Sequence, residues 1–225
     1  MTMKQKLFAF VMAAAMILSL AACGSSGGGK GAAAVDTATV AVGAVIIARD
    51  DIPEDDIYAF TSAIFENKDT ISEQHDKGKE LDLDFASSVT SVPYHPGAAK
   101  YFSEKGKTVA AVKDGAGAGA SRALSFGTGS DTGTYYAFGG VLSSYVSSNT
   151  STAVTALTSG GSKANIEDLA ADNVQLAFVQ SDVMSYAYNG ERLFDSAVTG
   201  FSVVAALYME QVQIVTTNPD IKSVA

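Results

Sequence analysis

The residues best suited to chemistry lie in the segment 124–140, which reads LSFGTGSDTGTYYAFGG. A short apolar run leads into a turn rich in glycine, serine and threonine, and an aromatic stretch with helical spacing comes after it. Glycines let the backbone approach a ligand closely, and hydroxyl groups together with the free N–H groups of a helix start favour the binding of an anion. A strand, such a turn and a helix start in succession are typical of an anion-binding site in an α/β domain.

Nucleotide-binding motifs fit this turn poorly. Gly127, Gly129 and Gly133 follow the spacing G-x-G-x-x-x-G, which is one residue longer than the dinucleotide fingerprint. No Gly-Lys-Ser/Thr follows at the spacing of a P-loop, because the later Gly-Ser-Lys has the wrong order. The turn therefore favours a small carboxylate over a nucleotide, with an ordinary tight connection as the alternative.

The sequence offers no catalytic or metal-binding cluster. His75 and His95 are the only histidines, and neither has a second ligand at a metal spacing or a Ser–Asp partner that can be named. We expect His95 to be a loop residue held by backbone hydrogen bonds. The acidic run 50–56 predicts a capped, solvated helix start. We therefore expect no metal, no cofactor and no enzymatic activity.

Two further polar loops follow predicted strands. Residues 159–162 come after an alternating stretch at 152–157, and residues 180–182 come after an apolar stretch at 174–179. Alternating strands and helices predict an α/β domain with a mostly parallel sheet flanked by helices. Ligands of open α/β sheets bind beyond the carboxyl ends of the strands, so the three loops should converge. Ordinary surface connections are the alternative.

Local signals predict how the helices begin and pack. Pro96 is well placed as the first residue of a helix that ends near Gly106. Gly139 and Gly140 cost helix stability, which predicts close packing at both positions. Ser162 is predicted to cap the helix that begins after it.

The N-terminus predicts export from the cytoplasm. Lys4 and Lys6 precede an apolar run at 7–20 that is too short to span a membrane and leads into Leu-Ala-Ala-Cys. Residues 1–22 are interpreted as a signal peptide, and their ending resembles a bacterial lipobox, which would make Cys23 the lipidated residue. A plain secretory signal is the alternative. We expect a periplasmic or cell-surface protein that is tethered to the membrane by its lipid anchor alone.

Composition limits the remaining partners and domains. The net charge is −9 and no basic stripe exists, so we expect no nucleic-acid partner. Residues 23–34, rich in glycine and alanine, predict a flexible stalk, and residues 113–122 (KDGAGAGASR) predict a linker. The chain after the stalk is long enough for one domain with a sizeable core, divided by the linker into 35–112 and 123–225.

The chain closely resembles the TAXI-type solute-binding proteins, which are the extracytoplasmic receptors of TRAP transporters. Residues 124–225 resemble their first part, through GTGSDTGTYYAFGGVLSSYV, TSGGSKANIEDL and VQLAFVQSDVMSYAYNG. Residues 40–106 resemble their last part, through VAVGAVIIARDDI and SVPYHPGAAKYFSEKG. The order is reversed and the second lobe of the family has no counterpart. The resemblance therefore implies a circularly permuted single lobe of the periplasmic-binding-protein type, in which 35–112 and 123–225 are the C-terminal and N-terminal parts of lobe one.

The resemblance also implies a function. The expected ligand is a small carboxylate or an amino acid, such as glutamate, delivered to an ion-coupled TRAP-type permease. Loop N–H groups and hydroxyls would hold its carboxylate, and Asp182 would meet an ammonium group or cap a helix. The residues that match the ligand loops of the family are Thr128, Gly129, Thr132, Gly133, Thr134, Tyr135, Ser159, Gly160, Gly161, Ser162, Gln180, Ser181 and Asp182.

A single lobe presents only half of a cleft that closes by hinge motion between two lobes. Good small-molecule sites bury most of their ligand, so we expect weak or absent affinity. The alternative function is that of a surface lipoprotein whose lobe docks on a permease or another partner without binding solute.

Overall fold

The computed structural model describes residues 40–112 and 123–212, together with Thr217, Asn218 and Asp220. All of them belong to a unit that spans Thr39–Ala225. The predicted signal peptide, Cys23, the stalk and the linker lie outside the described residues. So does most of the further strand that an apolar run predicts at 212–217.

Strands and helices alternate along most of the described residues, as the sequence predicts. The described residues contain five strands, which are β1 (Ala41–Arg49), β2 (Leu124–Gly127), β3 (Val154–Leu157), β4 (Leu176–Gln180) and β5 (Phe201–Gln211). The seven α-helices of this part of the chain are α1 (Glu54–Glu66), α2 (Lys68–Gln74), α3 (Leu83–Ala86), α4 (Pro96–Glu104), α5 (Thr134–Asn149), α6 (Ser162–Ala170) and α7 (Ser181–Asn189). A short 3-10 helix, Asp76–Glu80, lies between α2 and α3. None of the described helices is long and apolar enough to cross a membrane.

The strands form one open sheet in the order β3-β2-β4-β1-β5. Strand β2 pairs parallel with β3 and β4, whereas β1 pairs antiparallel with β4 and β5. Four strands therefore share a direction and β1 opposes them. The predicted fold class, a mostly parallel sheet flanked by helices, is confirmed and is compatible with a single periplasmic-binding-like lobe.

The reversed strand β1 lies near the centre of the sheet and is buried on both faces. Its residues 44–48 have no exposed surface, as expected for a continuous apolar run. Because β1 is antiparallel, its beginning lies at the sheet edge where its neighbours end: Ala41 pairs with Gln211, and Ala44 with Gln180. This edge therefore combines the carboxyl ends of β2, β3, β4 and β5 with the start of β1.

The two glycines of α5 differ in their packing. A Cβ added at Gly139 would lie 2.6 Å from Cγ2 of Thr128, so the helix approaches the sheet too closely for a side chain there. A Cβ added at Gly140 would meet nothing within 4 Å. The predicted close packing is therefore confirmed for Gly139 and wrong for Gly140, because only Gly139 faces the sheet.

His95 is a structural residue at the start of α4. It is fully buried, its Nδ1 accepts a hydrogen bond from the N–H of Gly97 (3.2 Å), and its Nε2 lies 3.1 Å from the carbonyl oxygen of Ile52. Burial lowers the pKa of His95 to about 4. The ring is therefore neutral at pH 7, with Nε2 as the donor to Ile52. This confirms the expected backbone-held role, and Pro96 is the first residue of α4, as predicted.

Candidate functional site

The loops after β2 and β3 lie beside the end of β4, where α7 begins directly, at the edge of the sheet. The N–H of Ser159 donates to the carbonyl oxygen of Gly129 (2.9 Å), which joins the first loop to the second. The N–H of Gln180 donates to Oγ of Ser162 (3.0 Å), which joins the end of β4 to the start of α6. The geometry thus brings the first two predicted loops together with Gln180. The predicted third loop, 180–182, is not a loop, because β4 ends at Gln180 and α7 begins at Ser181.

A solvent-open cavity of about 360 Å³ lies where these loops meet, and we call it the loop cleft. Its volume falls in the range of small-molecule sites. The residues that line it are Gly129, Ser130, Gly133, Thr134, Tyr135, Gly161, Ser162, Gln180 and Glu210. All but two of them, Ser130 and Glu210, belong to the predicted ligand-binding set.

Four of the predicted residues lie outside the lining of the cleft, and two of them support its loops. The hydroxyl of Thr128 is buried and donates to the carbonyl oxygen of Leu157 (2.6 Å). Oγ of Ser159 accepts from the N–H of Gly161 (3.1 Å), so this side chain shapes its own turn. Thr132 and Gly160 are exposed and lie outside the lining.

Ser181 and Asp182 also lie outside the loop cleft. Oγ of Ser181 accepts from the N–H of Gly43 (2.9 Å) and borders a second cavity of about 260 Å³. Asp182 lines neither cavity, and its buried Oδ1 has no hydrogen-bond partner among the described residues. Asp182 therefore neither caps α7 through a side-chain hydrogen bond nor faces the cleft.

The second cavity opens at the same edge of the sheet. It is lined by Ala41, Val42, Gly43, Val45, Phe85, Ser88, Val89, Thr90, Ser91, Ser181, Ala206 and Met209. Successive residues of a strand point to opposite faces, so Met209 borders this cavity while Glu210 borders the loop cleft.

Glu210 is the functional candidate that sequence reasoning missed. Its Oε2 accepts hydrogen bonds from Oη of Tyr135 (3.1 Å) and from Nε2 of Gln180 (3.1 Å). Burial raises the pKa of the Tyr135 phenol far above its usual value, and the charge of Glu210 raises it further. The phenol therefore remains a donor. The available signal was an acid at the end of a strand whose residues 201–208 are all buried.

The starts of α5 and α6 supply the donors of the cleft. Their N-caps are Gly133 and Gly161, and neither helix has a side-chain cap hydrogen bond. Gly161 has a φ of 89°, a conformation that favours glycine. The sequence predicted Ser162 as the cap, which is wrong, because its hydroxyl accepts from Gln180 instead. First-turn N–H groups without a side-chain cap are suited to bind a carboxylate.

Asn165 fixes the relative position of these elements. It is fully buried on α6, and its Nδ2 donates to the carbonyl oxygens of Thr128 (2.8 Å) and Phe178 (2.6 Å). One amide group thus ties α6 to the loop after β2 and to β4. The ring of Tyr135 stacks on Phe178 with centroids 4.7 Å apart, which holds the phenol over the same strand.

The lining of the loop cleft is suited to binding. It consists of backbone N–H groups, hydroxyls, an amide and one carboxylate, with no lysine, arginine or histidine among the described residues. The described residues also contain no group of three or more His, Cys, Asp or Glu that could hold a metal ion.

Comparison with known proteins gives one family match. A model of the NMT1-like family matches residues 27–106 and 126–225, which is most of the chain. This is a periplasmic-binding-type family related to the solute-binding proteins of TRAP transporters. All residues that line the loop cleft fall in the second matched segment. No solved structure matches the chain.

Proposed function

Because the chain belongs to the NMT1-like family, we propose that it is an extracytoplasmic solute-binding protein whose loop cleft captures a small carboxylate or an amino acid. Family membership suggests a solute-binding function outside the cytoplasm. The observation that carries the proposal for the site is the meeting of two loops and the last residue of β4, which form one cavity at the carboxyl ends of β2, β3 and β4. Open α/β sheets bind their ligands at such edges.

The expected binding mode is set by the donors. A ligand carboxylate lies against the first-turn N–H groups of α5 and α6, with the hydroxyls of Thr134 and Ser162 beside it. The role is capture without chemical conversion. Hydroxyls line the cleft, but no histidine stands beside them in the described residues to act as a base.

A more specific proposal concerns the transporter that the protein serves. We propose a TAXI-type receptor, a permuted lobe anchored by lipid at Cys23, that delivers a glutamate-like solute to a TRAP-type permease. The support is the resemblance of the sequence segments and the lipobox-like ending of the signal peptide. The loop cleft is open to solvent, so we expect weak affinity unless a second surface covers the ligand.

The direct test is a titration of the ¹⁵N-labelled full chain, monitored through amide chemical shifts. We expect L-glutamate and small dicarboxylates to shift the amides of Thr134, Tyr135 and Ser162, with a Kd on the order of 1 mM, or about 4 kcal/mol of binding. Absence of any shift at these amides for every amino acid and carboxylate tested would contradict the proposed function. Tight, saturable binding would contradict the expected weakness and leave the function intact.

A second candidate function is docking without solute capture. Val40 is 71% exposed and Val212 is 46% exposed, and the two are joined by a hydrogen bond at the cleft edge of the sheet. Leu157, at the end of β3, is also exposed. Such apolar residues favour coverage of this edge by another protein surface. Light scattering separates the two candidates, since a docking lobe forms dimers or complexes even without solute.

A further inference from the structure

Glu210 is the only charged side chain that lines the loop cleft among the described residues. It lies on β5, and β1 separates that strand from β4, which carries Gln180. Two strand spacings amount to roughly 10 Å, so Glu210 and Gln180 meet across β1 only because both side chains are long. The carboxylate is thereby held in the cleft, with Tyr135 and Gln180 as donors to the same oxygen, Oε2.

The cleft therefore has two chemically different sides. The starts of α5 and α6 present N–H groups, which attract a carboxylate. Glu210 presents a negative charge with no cationic side chain of the described lining beside it. A ligand whose only charged groups are carboxylates is attracted by the helix starts but repelled by Glu210, because like charges at close range disfavour binding.

On the premise of the proposed function, we infer that Glu210 is the ammonium-binding residue of this cleft. The ligand class is then the α-amino acids: the carboxylate lies on the helix starts and the ammonium group on Glu210. Organic acids of the same length that lack the amino group bind more weakly. This assigns to Glu210 the role that the sequence offered to Asp182, which lies outside the cleft.

The test compares ligands that differ only in the amino group. The full chain is titrated with L-alanine and propionate, and with L-glutamate and glutarate, and amide shifts of the cleft residues are recorded. We expect each amino acid to bind at least about 10-fold more tightly than its partner, which corresponds to about 1.4 kcal/mol. N-acetyl-L-alanine, which has lost its ammonium charge, should bind like propionate.

Variants then assign the preference to Glu210. In Glu210→Gln we expect the preference to vanish or to reverse, with propionate and glutarate binding at least as tightly as before. Glu73→Gln removes the same charge from an exposed position on α2 and should keep the wild-type preference. A merely structural role of Glu210 would weaken all ligands equally and would leave their ratio unchanged, which would overturn the inference.

The outcomes separate this inference from the proposed function. Binding of all ligands at the cleft without preference for the amino group overturns the role of Glu210 and leaves solute capture standing. Absence of binding by every ligand to the wild-type chain overturns both. If Glu210→Gln does not fold, Glu210→Asp, which shortens the side chain and keeps the charge, takes its place and should weaken the preference for the amino group; an unchanged preference in this variant would overturn the role of Glu210.

Discussion

The loop cleft and the second cavity open at the same edge of one sheet, but their chemistry differs. In the second cavity the N–H of Gly43 already has a partner in Ser181, and Phe85 and Met209 supply apolar walls. In the loop cleft the helix starts lack side-chain caps, and Glu210 supplies a charge. The difference arises from single steps along the chain: Gln180 and Ser181 are neighbours in sequence, yet they border different cavities.

The position of a polar residue directly after a strand therefore does not by itself place it in a binding site. Alternation sends successive side chains to opposite faces of the sheet, so only one of two neighbours reaches a given cavity. A cavity can bind a charged solute when its polar groups have no hydrogen-bond partner within the fold. In the loop cleft the helix starts have no side-chain cap from the described residues, whereas in the second cavity the N–H of Gly43 already donates to Ser181.

The largest expected effect comes from Asn165→Ala, which should disrupt the loop cleft and spare the second cavity. The change removes donors from the buried carbonyl oxygens of Thr128 and Phe178. We expect the free energy of unfolding to fall by about 2–4 kcal/mol and ligand binding to be lost. Urea denaturation and amide spectra measure both.

The matched control for Asn165 is Asn173→Ala. Asn173 is exposed and bonds to the side chain of Asp168 (3.0 Å), so its loss should cost less than about 0.5 kcal/mol. Equal losses of stability in the two variants would contradict the positioning role of Asn165.

Acidification should destabilise the fold through His95. The pKa of His95 is lowered from 6.5 to about 4, so the unfolded chain binds the proton more readily between these values. The stabilisation is complete above pH 6.5 and declines as the pH falls toward 4, by about 3 kcal/mol. His95 adjoins Tyr94, whose hydroxyl donates to the carbonyl oxygen of Ala86 and accepts from the N–H of Val89, a residue that lines the second cavity.

The measurement is urea denaturation of the wild-type chain and of His95→Gln between pH 7 and pH 4. Glutamine keeps a donor and an acceptor but does not titrate, so the decline should be smaller in the variant. Parallel curves for the two proteins would show that His95 does not set this pH dependence.

A pair of glycine variants tests how closely the helix of the loop cleft is packed. Gly139→Ala places a methyl group 2.6 Å from Cγ2 of Thr128. The hydroxyl of Thr128 donates to the carbonyl oxygen of Leu157, so this side chain cannot move away without losing that hydrogen bond. We expect a loss of about 1–3 kcal/mol. Gly140→Ala meets open space and should stabilise the chain by up to about 1 kcal/mol. Thermal denaturation checks the pair, and a gain of stability in Gly139→Ala would contradict the close approach.

Much of the fold could be predicted because its signals are local and periodic. The apolar run of β1, the alternation of strands and helices, and Pro96 at a helix start all appear where the sequence places them. The direction of β1 could not be predicted, since an apolar run is the same in a parallel and an antiparallel pairing. The converging loops were predictable because parallel strands fix where their ends meet.

The composition of the loop cleft was predictable only in part. Gly129 and Gly161 lie in recognisable turns after strands and Gln180 is the last residue of β4, so their place in the lining is a consequence of the sheet. Glu210 lies in a strand and reaches the cleft across β1, a contact set by strand order and register. Ser181 was grouped with Gln180 because residues 180–182 were considered as one loop, whereas Gln180 ends β4 and Ser181 begins α7.

The smallest expected effect distinguishes the two cavities most directly. Ser181→Ala removes the partner of the Gly43 N–H and should cost about 1 kcal/mol of stability, with ligand affinity unchanged within about 2-fold. Ser162→Ala, its counterpart in the loop cleft, also removes one hydroxyl acceptor, that of Gln180 N–H, and should weaken binding several-fold. Calorimetric titration of both variants measures the difference. If Ser181→Ala weakened binding as much as Ser162→Ala, the solute would have to contact both faces of the sheet edge, and the division between the cavities would be wrong.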